Sequence, residues 1–312
     1  MAMEKDMGSI YWSHMAATTT GTQRPVDASA LARISARLRA APAAPWLHGE
    51  VARRMAERLP LIRLQPRRII DWGAKLGAST GLLQQSYAKA SVVCVDAAAV
   101  SHRQARAEMS WWSTPLWRKH QRVLTPDAVP DQSAELLWCN MALHFEADIE
   151  ALLQRWRRCL VVDGFLMFST LGPGSFAQLR SLYRKLDWPS PMAPLVDMHD
   201  LGDMLVQAGF AEPVMDQETI TLTWASATAM LGELRSFGGN ADPARAAGLR
   251  TPRWRERLLA ALDARRDAQG RIQLEVELVY GHAFCPAPRA HMAPETSVSL
   301  QQMRAMMRSG RR

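Results

Sequence analysis

The stretch RIIDWGAKLG, residues 68–77, combines a short apolar run with an acidic residue and a turn that contains two glycines. The apolar run predicts a buried β-strand, and residues 79–88 have the apolar spacing of a helix. Glycines in such a turn let the backbone approach a ligand closely, and some of them require a positive φ. The stretch therefore predicts a strand–loop–helix unit that binds a ligand.

The alternation of strand and helix continues on the carboxyl side of this stretch. Further strands are predicted at residues 91–95, 121–124, 134–139, 164–169, 214–224 and 272–284, and helices at 100–109, 149–160, 200–208, 227–237 and 253–264. Continuous apolar strands separated by helices indicate a parallel sheet, whereas the alternating pattern of the last strand is typical of an antiparallel one. We predict an α/β fold with a seven-stranded, mostly parallel sheet, an antiparallel last strand and helices on both faces.

Composition excludes several classes of protein. The chain of 312 residues is 48% hydrophobic and 22% charged, as globular proteins are, and no run approaches the length of a membrane span. The amino terminus lacks the apolar core of a secretory signal. Four cysteines without a C-x-x-C spacing predict neither disulfides nor a metal site, and we expect a reduced, cytoplasmic protein. The formal net charge of +8 suits an acidic partner, and no nucleic-acid-binding motif is present.

The position of the acidic residue in the first loop indicates which ligand it binds. Asp71 stands two residues before Gly73, as in the methyltransferase pattern Asp/Glu-x-Gly-x-Gly-x-Gly, and Gly77 ends that pattern. Asp96 ends the second strand, where nucleotide-binding α/β folds keep an acid for the ribose hydroxyls. Asp127 follows the third strand, at the usual place of a contact to the adenine amino group. Together these residues predict an S-adenosylmethionine site, and the absence of G-x-G-x-x-G disfavours a nicotinamide cofactor.

Lys75 is a departure from the glycine pattern. It replaces the middle glycine, and a residue other than glycine at positive φ costs about 1–2 kcal/mol. Its long side chain would then enter the pocket, point outward or meet the carboxylate of the cofactor. These alternatives leave open whether the loop permits cofactor binding and turnover.

From Asp71 to Cys285 the chain resembles the malonyl-acyl-carrier-protein O-methyltransferases of biotin synthesis, a family of class I, Rossmann-like methyltransferases. The segments that carry the resemblance are AELLWCNMALHFEAD, VDGFLMFSTLGPGSF, VDMHDLGDMLVQAGFAEPVMD, LRSFGGN and VYGHAF. The resemblance implies that Asp71, Gly73, Gly77, Asp96 and Asp127 bind the cofactor. It also places Asn140 at the end of the fourth strand, beneath the cofactor.

The resemblance further implies methylation of the free carboxylate of a malonyl thioester on an acidic acyl carrier protein. That carboxylate is ionised at neutral pH and needs no general base, so catalysis would rest on alignment. His144 is the candidate substrate contact, and Trp46 stands where the family has an aromatic–acidic pair. Arg253, Arg255 and Arg257 are candidates for docking the carrier. No catalytic residue is assigned.

A second group of proteins has a similar layout and provides an alternative function. The stretch WLHGEVARRMAERL, residues 46–59, also resembles a methyltransferase-fold assembly factor that hydroxylates protein arginine. Under this alternative the chain would act on a protein partner, with or without methyl transfer. For either function we expect one domain at residues 31–285, with a cofactor half at about 65–170 and a substrate side formed by about 171–285 and the N-terminal helices. We expect residues 1–30 to be flexible and 286–312 to form a basic tail.

Overall fold

Seven strands form one sheet in the computed structural model, which describes residues 25–96 and 122–287. They are β1 (Arg68–Trp72), β2 (Ser91–Val95), β3 (Arg122–Leu124), β4 (Ala134–Cys139), β5 (Leu160–Leu171), β6 (Ala211–Trp224) and β7 (Ile272–Phe284). Their order in the sheet is β3-β2-β1-β4-β5-β7-β6. The pairs formed among the first five strands are all parallel, and β7 is antiparallel to its neighbours β5 and β6. This arrangement confirms the predicted fold class.

The central strands are apolar throughout because they are buried on both faces. Successive side chains of a strand point to opposite faces, so Ile69 and Ile70 join different hydrophobic clusters, as do Leu136 and Leu137. The two clusters are the two layers of core between the sheet and its helices. This double burial explains why the sequence shows continuous apolar runs rather than alternation.

Helices cover both faces of the sheet. They are α1 (Ala28–Arg39), α2 (Trp46–Ala56), α3 (Ala74–Gly77), α4 (Thr80–Ser86), α5 (Ile149–Cys159), α6 (Ala177–Lys185), α7 (Met198–Gln207), α8 (Ala227–Phe237) and α9 (Pro252–Asp263). Several begin at a side chain that accepts a hydrogen bond from the first turn, such as Asp148, Asp197 and Thr251. The Asp197-Met198-His199-Asp200 sequence is thus the start of a helix. No helix in the described ranges has the length and apolar character needed to cross a membrane.

The antiparallel pair of β6 and β7 extends beyond the rest of the sheet. β5 ends its pairing with β7 at Leu171 and Leu278, whereas β6 and β7 remain paired as far as Trp224 and Ile272. The extension packs its buried side chains, including Leu274 and Val276, with helices of one cluster. The extension therefore projects past the carboxyl ends of β4 and β5, the edge of the sheet at which ligands of α/β folds bind.

The structure corrects the predicted starts of α1 and β5. α1 begins at Ala28, behind the cap Asp27, so residues 28–30 are helical and not part of a flexible segment. β5 begins at Leu160 rather than at 164, because the chain pairs with Ala134 directly after α5 and then turns at Asp163, whose φ is 63°. The predicted helix 100–109, most of the segment 1–30 and the tail from 288 lie outside the described residues.

Candidate active site

The loop after β1 begins with a glycine that no other residue could replace without strain. Gly73 has a φ of 73°, in the left-handed region, and its N–H donates to the carbonyl of Val95 at 2.7 Å. A Cβ at this position would lie 2.8 Å from the Cβ of Ala142, inside any normal contact distance. Both the backbone conformation and the available space therefore require glycine here.

Lys75 does not strain the loop. Residues Ala74–Gly77 form one short helical turn, so Lys75 does not adopt a positive φ. The residue of this loop other than glycine that does is Ala78, whose φ is 53°. The backbone N–H of Lys75 donates to Asp96 Oδ2 at 3.0 Å. Lys75 thus stabilises the loop through its backbone N–H, a group that every residue except proline has. At Gly77 a Cβ would come within 3.4 Å of the carbonyl oxygen of Asn140, which leaves little room.

A fully buried amide clamps this loop from below. Asn140 Nδ2 donates to the carbonyl oxygens of Gly77 at 2.6 Å and His48 at 2.7 Å. Its Oδ1 accepts from Ser169 Oγ at 2.7 Å. The His48 ring adds a second tie, because Nδ1 lies 2.8 Å from the carbonyl oxygen of Leu76. Asn140 was predicted as a cofactor residue, and the structure shows its amide engaged in fixing the loop.

Two buried carboxylates lie at the ends of the neighbouring strands β1 and β2. Asp71 is fully buried, and burial raises its pKa to about 7, although the Thr80 hydroxyl opposes this shift by donating to Oδ2 at 2.6 Å. Burial also raises the pKa of Asp96, which is 4% exposed. Oδ1 of each carboxylate is buried and makes no hydrogen bond with any residue in the described ranges. Each aspartate thus keeps one acceptor for a ligand.

The other residues predicted for the site lie on different elements from Asp71 and Asp96. Asp127 is exposed on a single helical turn, Pro126–Ala128, directly after β3. His144 is 7% exposed, and its Nδ1 lies 3.5 Å from Thr170 Oγ1. His144 and Thr170 help to line a small pocket with apolar neighbours that include Leu171 and Leu195. The carboxyl ends of β4 and β5 thus carry a polar pair in an apolar setting.

Trp46 lies against the helix α8. Its indole is 52% exposed, its N–H donates to Glu233, and its ring meets that of Phe237 edge-on at 6.2 Å between centroids. Glu233 also accepts from the indole of Trp224. Trp46 therefore ties the start of α2 to α8, and the structure does not bring it to the Asp71–Asp96 centre.

The predicted arginine group is divided between two flanks of α9. Arg253 and Arg257 are four residues apart and share a face, whereas Arg255 lies on the other flank. The guanidinium of Arg257 lies over the Trp188 ring at 5.5 Å, and that of Arg250 over the Trp254 ring at 4.6 Å. We call this set, with Arg253, the basic aromatic surface.

Sequence reasoning missed the residues that hold the loop in place. His48 bonds to the loop, Thr80 bonds to Asp71, and Ser169 bonds to Asn140, which fixes the loop; each of the three comes from a different element. None belongs to a local motif around Asp71. The sequence signal for this role is a histidine in the α2 stretch, two residues after Trp46. Trp111, Trp112 and Trp117, whose indole faces are candidates for covering the sulfonium of the cofactor, lie outside the described residues.

Comparison with known proteins agrees with the geometry. A family model described as a methyltransferase domain matches residues 45–212. The malonyl-acyl-carrier-protein O-methyltransferase of Gallionella capsiferriformans is 39% identical over 251 residues, 78% of this chain and 86% of that protein. The proteins of the same name from Nitrosospira multiformis and Halorhodospira halophila are each 36% identical, over 83% and 76% of this chain and 90% and 81% of theirs.

The fold, the glycine loop and the family model together define a class I methyltransferase, an enzyme that uses S-adenosylmethionine. Within that class, the chain belongs to the malonyl-acyl-carrier-protein O-methyltransferase family. The methyltransferase function is therefore favoured over the assembly-factor alternative. The residues present fit the cofactor: hydroxyl and ammonium groups are donors, and the two orphaned oxygens of Asp71 and Asp96 are buried acceptors.

Proposed function

We propose that the chain methylates the free carboxylate of a malonyl group carried on an acyl carrier protein, as a step towards a biotin precursor. The observation that carries this proposal is 36–39% identity to enzymes named for that reaction, over most of both chains. The cytoplasm is the proposed location, since Cys94, Cys139, Cys159 and Cys285 form no disulfide, as expected of thiols in a reducing compartment.

The cofactor would be held by Asp71, Gly73, Asp96 and Asp127, with Gly77 and Asn140 shaping the loop. When bound, S-adenosylmethionine supplies a sulfonium methyl group that a carboxylate oxygen can accept without proton transfer. Asp96 would accept hydrogen bonds from the ribose hydroxyls, and the tight backbone at Gly73 would let the loop approach the ligand. A pKa of about 7 leaves Asp71 divided between two protonation states at neutral pH.

The substrate carboxylate needs donors that hold it rather than a base. We assign this task to His144 and Thr170, which lie together at the carboxyl ends of β4 and β5 among apolar side chains. Such surroundings strengthen a hydrogen bond to a charged oxygen. Alignment of a carboxylate that is already ionised can supply about 7–11 kcal/mol of barrier reduction, so the site requires no further catalytic group. Trp46 stays a candidate substrate contact only through its place at the start of α2.

The basic aromatic surface is the proposed docking site of the carrier protein. Acyl carrier proteins are acidic, and Arg250 and Arg257 lie over the rings of Trp254 and Trp188, which are tilted against each other with centroids 5.0 Å apart. Arg253 adds a third cation on the same face of α9 as Arg257. Guanidinium groups over indole rings keep their N–H groups directed for bidentate contacts to carboxylates. The charge complementarity favours this surface for an acidic carrier.

The direct test is methyl transfer by the purified full chain. With labelled S-adenosylmethionine, we expect one methyl group per malonyl-carrier protein and no transfer to the acetyl-carrier protein, which lacks a free carboxylate. The gene should also restore biotin-independent growth to a bacterium without its own malonyl methyltransferase. Cofactor binding without either result would contradict the proposed substrate and leave the class of enzyme unaffected.

A further inference from the structure

The last turn of α1 brings a cation to the acid at the end of β2. Arg39 Nε lies 3.7 Å from Asp96 Oδ1, and the two side chains are 23% and 4% exposed. That separation is too long for a hydrogen bond. Both atoms are buried, and neither has a hydrogen-bond partner within residues 25–96 and 122–287. A buried N–H and a buried carboxylate oxygen are thus close together but not bonded, an arrangement that is costly for both.

One kind of chemical group satisfies both atoms at once. A hydroxyl can donate its hydrogen to Asp96 Oδ1 while its oxygen accepts from the Nε–H of Arg39. A carboxylate or an ammonium could satisfy only one of the two. The other oxygen, Asp96 Oδ2, is already occupied by the backbone N–H of Lys75. The arrangement therefore selects a neutral hydroxyl, and a ribose offers two.

The helix that carries Arg39 is anchored to the end of α8 and to the segment that follows it. Asp27, at the start of α1, pairs with Arg245 at 2.6 Å and donates its N–H to the carbonyl of Ala241. Arg37 donates to carbonyls at the end of α8, those of Arg235 and Gly238. The helix α1 thus connects the α8 region with Asp96, and Arg39 is the residue of α1 that lies beside this aspartate.

We propose that Arg39 is a positioning residue of the cofactor site, which shares one ribose hydroxyl with Asp96 and so couples the docking of α1 to cofactor binding. This inference rests on the proposed cofactor but not on the proposed methyl acceptor. Arg39 and the backbone of Lys75 also favour the ionised form of Asp96, and thereby oppose the rise in pKa that burial causes.

The test is a thermodynamic cycle in which one change removes the Arg39 side chain and the other removes a ribose hydroxyl from the ligand. Affinities of wild type and Arg39→Met for S-adenosylhomocysteine and for its 2′-deoxy and 3′-deoxy analogues are measured by calorimetry. We expect Arg39→Met to weaken the parent ligand by about tenfold to a hundredfold, the range for a hydrogen bond to a charged group. For one deoxy analogue the same substitution should change the affinity by less than threefold, because the shared hydroxyl is missing.

Two controls on the same helix separate this role from a structural one. Arg33→Met removes an exposed arginine of α1, and Arg37→Met loosens the contact with α8. Both should weaken the parent ligand and the deoxy analogues by equal factors. Equal factors for Arg39→Met as well would overturn the proposal, as would a wild type that binds no S-adenosylhomocysteine at millimolar concentration. Coupling without methyl transfer to malonyl-carrier protein would support Arg39 and contradict only the proposed acceptor.

The pH dependence provides a second readout. Among the described residues, the charged or titratable groups that influence Asp96 are Lys75, Arg39, Asp71 and Cys139, and Glu146 lies near Arg39. Loss of Arg39 raises the pKa of Asp96 further, so protonation sets in at higher pH. As the pH is lowered, the affinity of Arg39→Met should therefore begin to fall at a higher pH than that of wild type. Asp71 titrates in both proteins, so parallel profiles would overturn the electrostatic part of the proposal.

Discussion

The cofactor loop and the basic aromatic surface are both polar regions, but they are built in opposite ways. In the loop, Asn140 is fully buried and its amide makes three hydrogen bonds to groups of the protein itself. On the surface, Arg253 and Arg257 are exposed, and the interactions described are arginines lying over rings. The loop is therefore held by the fold before any ligand binds, whereas the surface is available to a partner.

This difference determines how much a substitution should cost. A buried polar group that loses its partners loses the full value of those bonds, because water cannot replace them. An exposed charge is already hydrated and screened, and one pair contributes about 0.2–1 kcal/mol. Substitutions in the loop should thus affect folding, and those on the surface only association.

The largest effect is expected for Asn140→Ala. It removes three buried hydrogen bonds, each contributing about 0.5–1.5 kcal/mol, so the free energy of unfolding should fall by about 3 kcal/mol. Urea denaturation followed by circular dichroism measures this change. Cofactor affinity should fall too, because the carbonyl of Gly77 loses the donor that fixes it.

Asn240→Ala is the matched control for that substitution. Asn240 also bonds through both ends of its amide, donating to the carbonyl of Ser190 at 2.7 Å and accepting from the N–H of Asp242 at 2.8 Å. It is only half-buried and lies outside the site. We expect a loss of about 1 kcal/mol or less. An equal loss in the two variants would contradict the clamp role of Asn140.

The same contrast explains what the sequence could predict. β1, β2 and β4 have the predicted bounds, because double burial produces apolar runs that are visible without a structure. Asp71, Gly73 and Asp96 could be selected as candidates because strand ends are visible in the sequence. His48 contacts the loop from α2, Ser169 contacts Asn140 from β5, and Arg39 lies beside Asp96 from α1. Contacts between elements so distant in the chain depend on packing, which no local pattern records.

A smaller effect on cofactor affinity is expected for substitutions of Lys75, because the backbone N–H that the loop uses is kept and only the side-chain charge is lost. Lys75→Gly keeps the N–H that donates to Asp96 Oδ2, so cofactor affinity should change by less than about threefold. Glycine in the helical turn should lower the free energy of unfolding by about 0.5–1 kcal/mol. Lys75→Ala removes the charge without that entropic cost and serves as the control. A tenfold loss of affinity in Lys75→Ala would show that the side chain contacts the cofactor.

Substitutions on the basic aromatic surface should affect association rather than folding, and their effect should depend on salt. In the double variant Arg250→Ala/Arg257→Ala, two exposed cations are lost, and KM for malonyl-carrier protein should rise about two- to tenfold at low salt. At 1 M salt the Debye length falls to about 3 Å, so the difference should nearly vanish. The specificity ratio between malonyl-carrier protein and a small malonyl thioester should fall by the same factor, since the small substrate has no protein to dock. Arg255→Ala removes one cation from the opposite flank of α9 and should leave this ratio unchanged. If Arg255→Ala lowers the ratio as much as the double variant does, net charge rather than the rings and their arginines attracts the carrier, and the proposed docking surface is wrong.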